Sequence, residues 1–291
     1  MTENGVILSV LRIERNVEDL PAAVNFYCGA LGFEYLHDDA AGQWHHAPWL
    51  EQVKVRTAKI KSGHQEIWLT QRDPPSRPYP PGSTAKDIWF QHFALVTDNI
   101  EEAYARLNSY DCNAISTHGP VTLPPLTGSV TAYKFRDPDG HPVEFIHFPK
   151  LEKEIGRGID HTAISVSDTD RSIYFYCDLL GFKLDARQIN QGKEQDDLDG
   201  LSGVKVDVVA LKPTAISKPH IELLGYHGGM QKTPIPFEPY DIAADRIVLG
   251  VDNLGALLSR LENAGYKAQK SSNCTALLRD PDGHISILQG K

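Results

Sequence analysis

The chain contains two copies of one sequence pattern, and a long internal repeat restricts the fold to two similar modules. Residues 17–33 return as residues 166–182, with Phe-Tyr-Cys and Leu-Gly-Phe at matching places in both copies. Residues 136–141 and 279–284 both read Arg-Asp-Pro-Asp-Gly-His. We therefore predict one module at residues 1–150, a second at residues 158–291, and a linker at residues 151–157.

Composition narrows the choice of partners. The chain has 291 residues, 41% of them hydrophobic, which is enough for two ordinary cores. A formal net charge of -9 supplies no basic field that would gather phosphates. We therefore expect a small-molecule substrate and neither nucleic acid nor membrane as a partner. The sequence near the N-terminus suggests neither a signal peptide nor a spanning segment, so we expect a soluble, cytoplasmic protein.

The local patterns within the first copy predict a strand, an amphipathic helix and then several strands, twice over. Ile7 to Glu14 is rich in β-branched and apolar residues, and Asp19 is a typical cap for the helix that follows. Gly32 is expected to end that helix. Further strands are predicted at residues 53–60, 66–71, 91–96, 130–135 and 143–147, a second helix at 100–108, and a loop at 72–84. This is an α+β pattern.

Taken in order, these motifs resemble the glyoxalase, bleomycin-resistance and extradiol dioxygenase superfamily, also called the vicinal oxygen chelate superfamily. The resemblance rests on Val-x-Asp, Phe-Tyr, Leu-Gly-Phe and the final Asp-Pro-Asp-Gly-His-x-Val-Glu, and it covers nearly the whole chain. It implies that each tandem module is built from two paired βαβββ units forming a cupped mixed sheet. It also implies that metal ligands come from the first and last strand of each unit.

The resemblance assigns four positions to each module. In the first module they are Arg12, Trp68 or else Glu66, His92 and Glu144. In the second module they are His161, Glu222, Arg246 and Ile287. In glyoxalase-like members, a site combines the first unit of one module with the second unit of the other. The resemblance therefore implies one metal site, made of His92, Glu144, His161 and Glu222.

The remaining four positions imply a second, degenerate centre. Arg12, Trp68, Arg246 and Ile287 offer two cations and no anionic ligand, unless Glu66 is turned inward. We therefore expect that centre to hold no metal.

Two imidazoles and two carboxylates suit a divalent ion such as zinc, nickel, manganese, cobalt or iron(II), and ligand type alone does not select among these ions. Such an ion can chelate vicinal oxygens of a substrate and acidify an adjacent C–H bond. Glu144 or Glu222 would then act as the catalytic base that moves the proton. No organic cofactor is evident from the sequence.

Four further residues are candidates for substrate binding. Lys134 and Arg187 could contact an anionic substrate, and His118 and His227 could line the pocket from loops. Alternatively, Lys134 and Arg187 are surface charges, and His118 and His227 are solvated loop residues. Fusing two modules also supplies internally the pairing that single-module relatives obtain by dimerising, so a monomer and a homodimer both stay open.

Three functional classes remain at this stage. The favoured class is a glyoxalase-like lyase or isomerase that transfers a proton on a small hydroxycarbonyl-type substrate. The second is an extradiol-type dioxygenase using Fe(II), but its ligands usually come from one module, and Lys134 stands where that group carries an active-site tyrosine. The third is a metal-free binding or resistance protein, which the complete His and Glu set disfavours.

Overall fold

The computed structural model describes residues 4–42, 54–149, 158–229 and 238–291. The predicted linker at 151–157 lies outside these ranges. Unit 1 of the chain is a βαβββ arrangement comprising β1 (Ile7–Val17), α1 (Leu20–Gly29), β2 (Glu34–Gly42), β3 (Lys54–Ser62) and β4 (Gln65–Asp73). Asp19 caps α1 by accepting a hydrogen bond from the Ala22 amide, as predicted. The helix ends at Gly29, before the predicted Gly32, which instead adopts a φ of +77° in the following turn.

Unit 2 completes the first module. Its elements are β5 (Gln91–Val96), α2 (Ile100–Leu107), the short strands β6 (Asn113–Ala114) and β7 (Val121–Thr122), then β8 (Thr131–Arg136) and β9 (Pro142–His147). Asn99 caps α2. The Asp-Pro-Asp-Gly turn joins β8 and β9 as the predicted hairpin, with the Gly140 amide donating to the Asp137 carbonyl.

Unit 3 opens the second module and carries one extra helix. Its elements are β10 (Gly158–Ser165), α3 (Thr169–Ile173) with a π-helical continuation (Tyr174–Leu179), β11 (Lys183–Gln191), α4 (Lys193–Asp199), β12 (Lys205–Lys212) and β13 (His220–Tyr226). Asp168 caps α3 just as Asp19 caps α1, as the repeat predicts. The helix α4 connects the paired strands β11 and β12 in sequence. It lies over unit 2, where it contacts β7 and β8.

Unit 4 is the shortest of the four. It comprises β14 (Arg246–Val251), α5 (Leu254–Asn263), β15 (Ala268–Lys270), β16 (Thr275–Arg279) and β17 (Ile285–Gly290). Across the described ranges, no helix is both long enough and apolar enough to cross a bilayer.

The hydrogen-bonded sheets join units from different modules. Units 1 and 4 form an eight-stranded sheet in which β1 pairs antiparallel with β14. Units 2 and 3 form a nine-stranded sheet in which β5 pairs antiparallel with β10. Both sheets are mixed, since the first strand of each unit also pairs in parallel with its last strand. The prediction of two tandem modules with mixed sheets is confirmed.

The hydrophobic cores, in contrast, follow the modules. One buried cluster joins the helices and inner strand faces of units 1 and 2, with Phe26 and Phe135 among its members. A second cluster joins units 3 and 4 and includes Phe175 and Leu257. Each module therefore has one main core, although Ile159 of β10 joins the first cluster and Ile7 and Val10 of β1 join the second. Backbone hydrogen bonding and these apolar contacts together link the two modules edge to edge.

A buried polar network ties unit 1 to units 2 and 4. The guanidinium of Arg15 is fully buried and donates to both carboxylate oxygens of Asp245. Another of its nitrogens donates to the Tyr27 hydroxyl at 2.7 Å, and that hydroxyl donates to Asp137 at 2.7 Å. Because a buried charge is costly unless paired, this network holds the three units in one arrangement.

Candidate metal centre

The four predicted metal ligands come together in the nine-stranded sheet. They lie on four adjacent strands: Glu222 on β13, His161 on β10, His92 on β5 and Glu144 on β9. Their registers explain this convergence. Ala163 of β10 pairs with both His92 and Glu222, and Ala94 of β5 pairs with both His161 and Glu144. Side chains at alternate positions share one face of a strand, so all four project into one region of the cup.

Ligand atoms of three of the four residues are close enough to share one ion, and Glu222 adjoins this group through His161. His92 Nε2 lies 2.9 Å from Glu144 Oε2, and His161 Nε2 lies 3.7 Å from Glu222 Oε2. One ligand atom each of His92, Glu144 and His161 lies within 4.8 Å of the other two. These three residues are 2%, 5% and 4% exposed, whereas the Glu222 side chain is 21% exposed.

The hydrogen bonding of His92 supports a metal at this point. Both of its ring nitrogens are buried and neither has an assigned hydrogen bond among the described residues, although Nε2 approaches Glu144 at 2.9 Å. An unsatisfied buried nitrogen costs about 1–3 kcal/mol, which a bound ion would offset. Burial also lowers the pKa of His92, so the imidazole stays neutral, which is the form that binds metals. The residues present therefore fit a divalent ion.

The carboxylate of Asp160 orients the ring of His161. Its Nδ1 lies 3.1 Å from Asp160 Oδ2, which leaves Nε2 facing Glu222. Carboxylates commonly support metal-binding histidines in this way. Burial alone would lower the pKa of His161, but Glu222 and Asp160 raise it to about 9. Metal and proton would therefore compete for the same nitrogen.

The two carboxylates are held in their ionised form. Burial opposes this, but the neighbouring side chains outweigh it. The pKa of Glu222 falls to about 2 beside His161 and His220, and the pKa of Glu144 is lowered by Lys134 and His92. Ionised carboxylates are the form that ligates a metal.

His220 is a member of the centre that the sequence analysis missed. It pairs with His161 across β10 and β13, and its Nε2 lies 3.3 Å from Glu222 Oε1. Its Nδ1 is buried without a hydrogen-bond partner in the described structure. The pattern His220-Ile221-Glu222 contained the signal, since residues two apart on a strand share a face.

Lys134 borders the centre and is already paired. Its Nζ lies 2.7 Å from Asp199 Oδ1 of α4 and 4.0 Å from Glu144 Oε2. The other carboxylate oxygen of Asp199 accepts hydrogen bonds from Gln195 at 2.8 Å and Tyr226 at 3.0 Å. Burial alone would lower the pKa of Lys134, but Asp199 and Glu144 raise it, so the amine stays charged.

A cavity of about 220 Å³ opens over the ligands. Its lining includes all four predicted ligands together with Lys134. Apolar side chains such as Leu198, Val206 and Val208 form part of its wall, and Asn190 and Gln195 form a polar part. A concave, largely apolar site with a few converging polar groups is typical of small-molecule binding.

The other three predicted substrate contacts, Arg187, His118 and His227, do not line this cavity. Arg187 projects from the opposite face of β11 and binds Asp207 at 2.6 Å and Asp170 at 2.7 Å. His118 lines a separate cavity of about 610 Å³, and His227 is exposed just after β13. The register of β11 turns Arg187 outward, and the two histidines lie on loops that do not reach the cavity.

The eight-stranded sheet carries the degenerate centre, with one unpredicted member. It places Arg12, Trp68, Arg246 and Ile287 at the positions that correspond to the four ligands. The buried Glu14 lies between the two arginines, 2.9 Å from Arg12 Nε and 3.6 Å from Arg246 Nε. The expectation that only Glu66 could supply an anion is therefore wrong, and Glu66 instead accepts a hydrogen bond from Trp68. An internal ion pair occupies this centre.

Comparison with known proteins places this architecture in a family. The profile of the Glyoxalase/Bleomycin resistance protein/Dioxygenase superfamily matches residues 9–145 and 158–285. The chain belongs to this superfamily and carries its module twice, as the sequence motifs predicted.

Solved structures share the fold at low sequence identity. Glyoxalase I from Zea mays has a TM-score of 0.68 and 19% identity, covering 99% of this chain and 93% of that one. A putative dioxygenase from Bacillus subtilis has a TM-score of 0.59 and 10% identity, covering 98% of this chain and 86% of that one. Comparison with curated protein sequences finds no match.

Proposed function

We propose that the protein is a divalent-metal-dependent lyase or isomerase of the glyoxalase type, acting on a small vicinal-oxygen substrate. The observation that carries this proposal is the convergence of His92, Glu144, His161 and Glu222 in one cavity, with both nitrogens of His92 buried and unsatisfied. All four come from one chain, so the proposed centre needs no second copy.

A divalent ion held by these residues would act as a Lewis acid and acidify a C–H bond beside a substrate carbonyl. We assign the proton-moving base to Glu222. Its side chain is more exposed to the cavity than that of Glu144, and His220 lies at 3.3 Å to orient its carboxylate. Glu144, buried beside the charged Lys134, would remain an anionic ligand.

One observation favours a second candidate, the extradiol-type dioxygenase. The tightest cluster is His92, Glu144 and His161, and two histidines with one carboxylate form the usual site of non-haem Fe(II) oxygenases. Against it, the three ligands are divided between the modules. A metal-free binding protein is disfavoured by the same cluster, because it would leave His92 unsatisfied.

Elemental analysis tests the proposal. Protein purified without chelator should hold a single divalent ion per chain, and His92→Ala and Glu222→Ala should each lower that content. Glu66→Ala is the matched control, because it removes a carboxylate from the corresponding strand of the other sheet. Metal retained in Glu222→Ala but lost in His92→Ala favours the dioxygenase, and absence of metal from the wild type refutes both metal-dependent functions.

A proton-exchange assay tests the reaction. The metal-loaded protein in D2O should exchange the C–H protons of hydroxyacetone, followed by proton NMR. Glu222→Gln should slow this exchange by about 100-fold or more, because general-base catalysis contributes roughly that factor. Exchange at the wild-type rate in Glu222→Gln would contradict the assignment of the base.

A further inference from the structure

Two buried amide side chains line the cavity without complete hydrogen bonding. Asn190 at the end of β11 is 8% exposed, and Gln195 in α4 is 4% exposed. Asn190 Oδ1 and Gln195 Oε1 are both buried and have no hydrogen-bond partner in the described parts of the chain. Native structures rarely leave such atoms unsatisfied, so each of these atoms implies a group supplied from the cavity.

The chemistry of the missing group follows from the orientation of Gln195. Its Nε2 donates to Asp199 Oδ2 at 2.8 Å, and a carboxylate can only accept there. The amide is therefore oriented with its carbonyl oxygen toward the remaining side, where a hydrogen-bond donor would complete it. A hydroxyl group satisfies this requirement and also suits Asn190 in either orientation of its amide.

The charges of the cavity disfavour an anionic group on the part of the ligand that lies away from the metal ligands. Among the described lining residues, Lys134 is the one lysine or arginine, and Asp199 neutralises it at 2.7 Å. Asp160, also in the lining, is paired with Lys218 and His161. Away from the metal ligands, a carboxylate or phosphate would therefore find no unpaired lysine or arginine in the described lining, at a high desolvation cost. This differs from the anionic substrate that Lys134 and Arg187 were expected to bind.

We propose that Asn190 and Gln195 form a hydroxyl-recognition subsite, and that the substrate is a compact, uncharged polyhydroxy carbonyl compound. This inference rests on the proposed function, because the vicinal oxygens of the same molecule would face the metal ligands. Val206 and Val208 line the same cavity and contact the carbon skeleton. The cavity volume of about 220 Å³ limits the ligand to a small molecule.

The test compares two neutral probes that share a chelating group and a four-carbon skeleton. L-Erythrulose carries additional hydroxyls, and 1-hydroxy-2-butanone lacks them. Affinity is measured from proton relaxation of each probe in the presence of Mn(II)-loaded protein. Wild-type protein should bind erythrulose about tenfold more tightly, which corresponds to one or two hydrogen bonds. Asn190→Leu and Gln195→Met should each reduce that preference while leaving bound Mn(II) unchanged.

The controls separate this inference from the proposed function. Gln191→Met alters the exposed neighbour on the same strand and should keep the wild-type preference. Failure of the wild type to load Mn(II) would refute the metal centre itself. Loaded protein with equal affinity for both probes, or a preference that survives in both variants, overturns the hydroxyl subsite. Tighter binding of dihydroxyacetone phosphate than of erythrulose overturns the uncharged substrate class.

Discussion

Asp199 neutralises a buried cation beside the proposed metal centre, and removing its charge should measurably destabilise the protein. The Lys134 and Asp199 side chains are 5% and 0% exposed, and their charged atoms are 2.7 Å apart. In Asp199→Asn, the nearest carboxylate to Lys134 in the described structure would be that of Glu144, at 4.0 Å. Removing one partner of a buried pair costs about 3–5 kcal/mol, since the other charge stays buried. We expect the free energy of unfolding to fall by about 3 kcal/mol.

Denaturation in urea at neutral pH measures this loss, and a double-mutant cycle assigns it. In a Lys134→Met background no cation is left unpaired, so Asp199→Asn should cost about 2 kcal/mol less than it does alone. Asp197→Asn in the same helix is the matched control, because solvent screens its surface ion pair with Lys193, which should contribute far less than the buried pair. A loss in Asp199→Asn no larger than in Asp197→Asn, or simple additivity in the cycle, would refute the argument.

Three further predictions follow from the same contacts. Zinc affinity should increase from pH 6 toward pH 9, because the metal must displace a proton from His161. Burial lowers the pKa of His161, but neighbouring carboxylates outweigh it and raise the pKa to about 9. Competition with a chelating dye measures the affinity, and a flat pH profile would contradict the prediction. Asp245→Asn should lower the free energy of unfolding by about 3 kcal/mol, because it leaves the buried Arg15 poorly paired; urea denaturation measures it, and a loss below about 1 kcal/mol would count against it. Glu14→Gln should lower the free energy of unfolding by a similar amount, because Arg246 loses a neighbouring carboxylate. Elemental analysis should find its metal content unchanged, and loss of metal would indicate that the ion lies in the eight-stranded sheet.

The repeat made much of this fold predictable. Its motifs indicate where the strands and turns lie, and the family resemblance then assigned ligands to the first and last strand of each unit. His92, Glu144, His161 and Glu222 lie on those strands in the structure. Alternation along a strand then brings ligand positions to one face. The same rule, applied to residues two away from each predicted position, would have found His220.

Other features depend on contacts between distant elements, which sequence spacing does not encode. Gln195 lines the cavity and Asp199 reaches Lys134 because α4 lies over unit 2. The outward direction of Arg187 depends on how β11 pairs with β12, where Asp207 becomes its partner. Neither contact follows from periodicity within a single element.

Because each sheet combines one unit from each module, both modules contribute to each of the two centres. The positions that correspond to metal ligands form two sets of four. Units 2 and 3, the inner pair along the chain, hold one set, and units 1 and 4, the outer pair, hold the other. A substitution at Arg12 therefore alters only the outer centre, and one at His161 only the inner. The outer set contains an internal ion pair, while the inner set contains imidazoles and carboxylates. Cutting the chain between its modules would leave each fragment with half of both centres.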